Sequence, residues 1–204
     1  MNNMSNREIV DMESISEKFV QIVNSPQWIA LEKDFIKTNN VFILGNGGNL
    51  SVADHAAIDI SRLTDKKAIC PGSGIVATSI IGDTSFEMWF QKWTEYSLKH
   101  LDPEDVTILA FSCSTTGASS SSLLRALEWA ADKGCHCHMV CAREKSHQPP
   151  SINFINQDVV YYHTSEVIST MMFYQLIHCA GFECPSILKK ADLRSHGVKM
   201  MEDR

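Results

Sequence analysis

A chain of 204 residues is long enough for one α/β domain with a core of its own, and it needs no staples to fold. Apolar residues make up 44% and charged residues 21%, which excludes global disorder. With 18 Lys and Arg against 24 Asp and Glu the formal charge is −6, so the chain lacks the basic footprint of a general nucleic-acid or anionic-membrane binder.

The first forty residues read as two helices. Ile9, Met12, Ile15, Phe19, Ile22 and Val23 recur at spacings of three and four; Pro26 breaks the run, and Trp28, Leu31, Phe35 and Ile36 resume it. Strands and helices then alternate. The short apolar run 41–44 ends at Gly45 and reads as a strand, 50–63 as a helix, 68–70 as a weak strand, and 75–81 and 86–101 as helices. A buried strand is expected at 106–111, a helix at 120–133, strands at 135–142 and 159–162, and a helix apolar nearly all round at 165–180. The fold expected is therefore α/β: three α/β/α layers around a five-stranded, mainly parallel sheet, preceded by two helices. Residues 1–184 form the single domain, and the polar, partly basic stretch 185–204 reads as a tail.

The seven cysteines are odd in number and mostly sit within apolar runs, where they behave as small hydrophobes. The polar first eleven residues do not resemble a signal peptide, and no apolar run approaches the roughly 18 residues that span a bilayer. A cytoplasmic location without membrane attachment is expected.

Two loops are suited to chemistry. Gly45-Asn46-Gly47-Gly48-Asn49 joins a strand to a helix, but Leu50 breaks a dinucleotide fingerprint and no Gly-Lys-Ser/Thr completes a P-loop. It is either a tight turn or a place where backbone N–H groups meet an anion or a hydroxylated ligand. The second, from Ser112 to Ser122, masses hydroxyls around Gly117 at the start of a helix. A cap needs one such hydroxyl; this many, at the positive end of a helix dipole, suit a phosphate.

His55 and Asp59 stand four apart on a helix and hence on one face, as an ion pair, two metal ligands, or a base with its orienting partner. In the run 135–141, Cys135, Cys137, Met139 and Cys141 alternate with His136 and His138. On a strand the two sets face opposite ways, which argues against a closed zinc site. The aromatic set Phe86, Trp89, Phe90, Trp93 and Tyr96 has helical spacing and reads as core or subunit interface.

Taken together, the glycine loop with Asn49, then His55 and Asp59, Ile81-Gly82-Asp83 through Phe86, and Ser114-Thr115-Thr116-Gly117-Ala118-Ser119 resemble the sugar isomerase (SIS) domain of sedoheptulose-7-phosphate, or phosphoheptose, isomerases. The resemblance runs from about residue 41 to 177. It implies a ketose–aldose phosphosugar isomerase that binds a phosphorylated sugar. The phosphate would lie on Ser114, Thr115, Thr116 and Ser119, the sugar hydroxyls on Gly47, Gly48 and Asn49, and Asp83 would line the same cleft. Asp59 would be the base and His55 its orienter, ligand or acid. The sequence also departs from the family: Asn49 replaces a Ser, Asp59 a Glu, and Ser165 and Phe173 stand where a Gln or Glu and a His face the metal. No metal residue is therefore assigned, zinc is expected to bind weakly, and His163 and His178 are the histidines left to substitute. His178 lies five residues from Phe173 and is read as a core or interface residue.

The same departures favour an alternative, a non-catalytic sugar-phosphate-binding or partner-binding regulatory module. A nucleotide-dependent oxidoreductase is disfavoured by the failed fingerprint. A homodimer or homotetramer is expected, because the leading helices and the aromatic helix carry more apolar surface than one small sheet needs.

Overall fold

The computed structural model describes residues 11–113, 117–184 and Ser186; Ser114, Thr115, Thr116 and, apart from Ser186, the expected tail lie outside the described residues. Helices α1 (Met12–Val23) and α2 (Pro26–Lys37) come first. Asp11 caps α1 by accepting from the Ser14 backbone N–H, and Ser25 caps α2 from Trp28, with Pro26 already set for the first turn. β1 (Asn40–Gly45), α3 (Gly48–Leu63), β2 (Lys67–Ile69), α4 (Gly74–Asp83) and α5 (Trp89–Ser97) follow. The remainder is β3 (Val106–Ser112), α6 (Ala118–Lys133), β4 (His136–Cys141), β5 (Asn153–Asn156) and α7 (Tyr162–Cys179).

The five strands pair in parallel throughout, in the order β2-β1-β3-β4-β5. Parallel neighbours require crossovers, and the helices that supply them cover both faces. On one face Val41, Ile43, Leu109, Phe111 and Val140 pack with α1, α2, α3 and α7. On the other, Phe42, Leu44, Ile108, Ala110 and Met139 pack with α4, α5 and α6. Cys135, Cys137 and Cys141 join the second core while His138 points to the first side, as the period of two requires. Burial pushes the Cys135 thiol up to about 11 and that of Cys141 to about 12. The aromatic helix expected at 86–101 is shorter, α5 at Trp89–Ser97: Trp89, Phe90 and Trp93 are core, Tyr96 is exposed, and Phe86 is exposed in the turn before it.

One expected strand is misplaced. Residues 159–162 form no strand: Val160 and Tyr161 are exposed, and Tyr162 opens α7. The fifth strand is Asn153–Asn156 instead, an edge strand paired on one side with β4. Only Phe154 and Ile155 mark it, and the flanking asparagines hide a strand with so short an apolar run.

Buried polar groups tie the helices to the sheet. Lys66 lies over the Phe35 ring and donates to the Thr38 carbonyl at 2.7 Å and the Ile36 carbonyl at 3.3 Å. Its ammonium thus sits at the carboxyl end of α2, the favourable end of a helix for a cation. Asp34 of α2 accepts from the buried His138 of β4 at 3.1 Å, and Asn153 contacts the other ring nitrogen at 2.8 Å. Among the described residues no helix is long and apolar enough to cross a membrane.

The His138 hydrogen bond holds the Asp34 carboxyl below its ordinary value against the cost of burial. Its stabilisation is therefore complete above the unfolded carboxylate value of about 3.9 and is lost as pH falls through the lower folded value. Asp34→Asn is expected to cost about 1 kcal/mol at pH 7. Between pH 5 and pH 2, by urea denaturation, the variant should lose less stability than the parent; parallel pH profiles would refute the assignment.

Candidate functional site

The strand order reverses direction between β1 and β3, so the chain leaves these neighbouring strands toward opposite faces. The crevice outside their carboxyl ends is where open α/β sheets take ligands. Gly45 and Phe111 are register partners there, which brings the two polar loops side by side.

The glycine loop is shaped by close approach. A methyl at Gly45 would overlap the Asn49 carbonyl, and one at Gly48 would overlap the Glu166 carboxylate. Asn46 ties the loops together, donating from Nδ2 to the Ser119 carbonyl at 2.9 Å and to Ser122 Oγ at 3.2 Å. Asn49 Nδ2 reaches Cys113 Sγ at 3.1 Å, and Asn49 Oδ1 is buried with no hydrogen-bond partner among the described residues. Between the loops lies a cavity of about 300 Å³ whose walls include Gly47, Gly48, Asn49, Ser112, Ser119 and Glu166. The N-termini of α3, capped by Gly47, and α6, capped by Gly117, both open on it.

Four of the expected substrate residues, Gly47, Gly48, Asn49 and Ser119, therefore line one cavity. Ser114, Thr115 and Thr116 lie outside the described residues. Asp83 is exposed at the end of α4 and is not part of the cavity wall. A larger, open depression of about 520 Å³ lies by Asp34, His136 and His138, where β4 begins, away from the carboxyl ends.

Glu166, which in sequence only anchors the alignment of α7 with a Glu of the resembled family, was not among the expected site residues. It projects from the first turns of α7, and the missing side chain of Gly48 leaves room for its carboxylate.

His55 and Asp59 share one face of α3, as expected, with His55 Nε2 at 3.3 Å from Asp59 Oδ2. They sit seven and eleven residues beyond Gly48, roughly 10 and 16 Å along the helix at its usual rise. Asp59 also accepts from Arg62 at 2.8 Å and from the Tyr174 hydroxyl at 2.7 Å. Burial raises its pKa, but the hydrogen bonds from Tyr174 and Arg62 outweigh that and hold it below the carboxylate range. Burial and the Asp59 charge push Tyr174 the other way, to about 12. The cluster is a closed set of satisfied groups rather than a poised base.

The donors fit zinc poorly. The Phe173 ring packs against His55 with centroids 5.4 Å apart, and Ser165 Oγ donates to Gln157. Both Asp59 oxygens are already engaged, and among the described residues no group of three or more His, Cys, Asp or Glu could hold a metal ion. A catalytic zinc normally takes three protein ligands. His163 is exposed and stacked on Tyr161. His178 is exposed too, which corrects the core half of its expected role; it borders a shallow cleft with Asp59, Arg62 and Tyr174.

No family model matches the sequence, and no curated protein does. Solved structures do match. Phosphoheptose isomerase GmhA from Neisseria gonorrhoeae superposes with a TM-score of 0.66 at 15% identity, covering 83% of this chain and 93% of its own. A phosphoheptose isomerase from Francisella tularensis gives 0.64 at 16% identity with the same coverage. The protein MJ1247 from Methanococcus jannaschii, for which a 3-hexulose-6-phosphate isomerase function is inferred, gives 0.52 at 11% identity over 88% of this chain and 100% of its own. At these identities the likeness is one of fold: two leading helices and a five-stranded parallel sheet in three layers make this chain structurally similar to the SIS-domain phosphosugar isomerases.

Proposed function

We propose that the chain binds a phosphorylated sugar in the crevice at the ends of β1 and β3 and acts on it as a ketose–aldose isomerase, of phosphoheptose type. The observation that carries this reading is two helix N-termini opening on one polar cavity lined by Ser112, Ser119, Asn49 and a carboxylate. Helix N-termini supply unpaired N–H groups and positive potential, which suit an anion. The names of the structural neighbours, phosphoheptose and hexulose-phosphate isomerases, lend support. The phosphate is assigned to Ser119 with Ser114, Thr115 and Thr116, and the sugar hydroxyls to Asn49 and the Gly47-Gly48 backbone.

Isomerisation takes a proton from one carbon beside a carbonyl and returns it to the neighbouring carbon through an enediol. Glu166 is a carboxylate within the cavity wall and is the base we favour. Asp59 with His55, the pair expected from sequence, is the other candidate, at a distance along α3. The Phe173 ring packed on His55 favours a second reading, a non-catalytic sugar-phosphate binder. In either case the protein is placed in the cytoplasm, with the sugar phosphate as its partner and no nucleic acid, membrane or resident metal assigned.

Calorimetric titration with inorganic phosphate checks the binding half. A Thr115→Val/Ser119→Ala double substitution should weaken it by about tenfold or more, since hydrogen bonds to charged groups are worth about 1.5–3 kcal/mol. Equal affinity in the two proteins would sink the phosphate assignment.

Solvent deuterium exchange at C1 and C2 of a panel of ketose phosphates checks the chemistry. Glu166→Gln should slow exchange by about 10²–10⁴, the usual contribution of a general base, while Asp59→Asn should have a smaller effect. The reverse ranking would give the base to Asp59. Saturable binding without exchange would make the protein a binder.

A homodimer or homotetramer is proposed from the exposed run Val160, Tyr161 and Tyr162 beside the cavity and from exposed Phe86 and Tyr96. Sedimentation should give a species heavier than 22.8 kDa at micromolar concentration, and a clean monomer would contradict it.

A further inference from the structure

Because β4 lies next to β3, the segment that leaves β4 passes close to the start of α6. The Ala142 backbone N–H continues the pairing by donating to the Ser112 carbonyl at 3.0 Å, and three residues later Lys145 turns inward. Only 4% of Lys145 is exposed. Its ammonium donates to Ser112 Oγ at 2.8 Å and Ser120 Oγ at 3.0 Å. Ser112 ends β3 in the cavity wall, and Ser120 lies in the first turn of α6.

This is a costly place for a cation. Removing an ammonium from water is unfavourable, and the N-terminus of a helix carries positive potential. Burial accordingly holds the Lys145 pKa below its ordinary value. The contrast with Lys66 is direct: that buried ammonium serves the carboxyl end of α2, where helix and cation attract, whereas Lys145 adds its charge to the repelling end of α6. Two positive potentials converge on one wall, with Glu166 on another. A bound anion turns both from a cost into an attraction.

The second observation comes from Asn49, 4% exposed in the same cavity, whose Oδ1 accepts from none of the described residues. Buried amide oxygens are nearly always paired, and this one can only accept, so it calls for a ligand hydroxyl.

We propose that Lys145 is a positioning residue of the anion subsite: it holds Ser112 and Ser120 from behind and charges the wall, so that the cavity selects a phosphomonoester carrying a free hydroxyl, with phosphate toward α6 and hydroxyl toward Asn49. The proposal rests on the phosphate reading above and deepens it. An ammonium has three donors and no acceptor, so the Ser112 and Ser120 oxygens face it as acceptors and their protons turn away from it.

Calorimetry with inorganic phosphate and with neutral ribose, on the full chain at pH 7, tests the assignment. Lys145→Met should weaken phosphate by about tenfold or more, as for a lost charge-assisted contact, and leave the response to ribose as in the parent. Lys145→Arg should keep most of the phosphate affinity. Unchanged phosphate affinity in Lys145→Met, or a parallel loss for both probes, would overturn the proposal while the phosphate reading stands. Absence of phosphate binding in the parent would overturn both. Should Lys145→Met fail to fold, the ¹⁵Nζ resonance of Lys145 in the parent serves instead: it should shift along the phosphate titration, and a resonance unmoved at saturation would refute the role.

Discussion

All five strands point the same way, and the placement of every candidate group depends on that parallel register. Parallel pairing obliges each connection to cross over, and β1 and β3 each end in a loop that begins a helix on the same rim of the sheet. Where the order reverses between β1 and β3, two such loops meet with no helix between them. The N-termini of α3 and α6, the Asn46 tether and the buried ammonium of Lys145 are consequences of that geometry rather than separate inventions.

The same register separates two groups of polar residues that a linear reading puts together. Asn49, His55 and Asp59 share a helix, yet only Asn49 borders the cavity. Farther along α3, Asp59 is satisfied by Arg62 and Tyr174, and Phe173 fills the space beside His55. A carboxylate held by two such donors is stabilised as an anion and is correspondingly a weak base. Glu166 reaches the cavity from α7 instead, across the position that Gly48 leaves open. The helix that carries the departures from the isomerase pattern, at Ser165 and Phe173, thus also carries a carboxylate that lines the cavity.

Much of the architecture was legible in the sequence because burial on both faces writes itself as continuous apolar runs, as at Val41–Leu44 and Val106–Phe111. The alternation of Cys137, Met139 and Cys141 with His138 was legible for the same reason, since a strand turns successive side chains to opposite faces. The edge strand was not: Asn153–Asn156 pairs on one side only, and two apolar residues between asparagines carry no periodic signal, whereas Val159 to Tyr162 looked like a strand and is largely exposed. In the site, the glycines and Ser119 marked two loops that meet at one cavity. Tyr174 and Lys145 went unseen, and Glu166 was given no role, because each reaches its place from an element distant in sequence, and no local spacing encodes such a meeting. Asp83 shows the converse, a residue singled out by motif that lies exposed at a helix end.

The cysteines of the sheet have a consequence for experiments on this protein. Thiolates, not thiols, react with alkylating agents and oxidants, and burial pushes Cys141 up to about 12 and Cys135 to about 11. Cys137 stands between them, packed beneath α6. In the folded chain these sulfurs are silent at neutral pH, and they become reactive when β4 is exposed to solvent. Alkylation of β4 therefore clocks the opening of the central sheet, and Cys113, beside Asn49 at the rim, clocks the crevice separately. The same seven thiols that leave the chain without a covalent staple give it an internal stopwatch for its own unfolding.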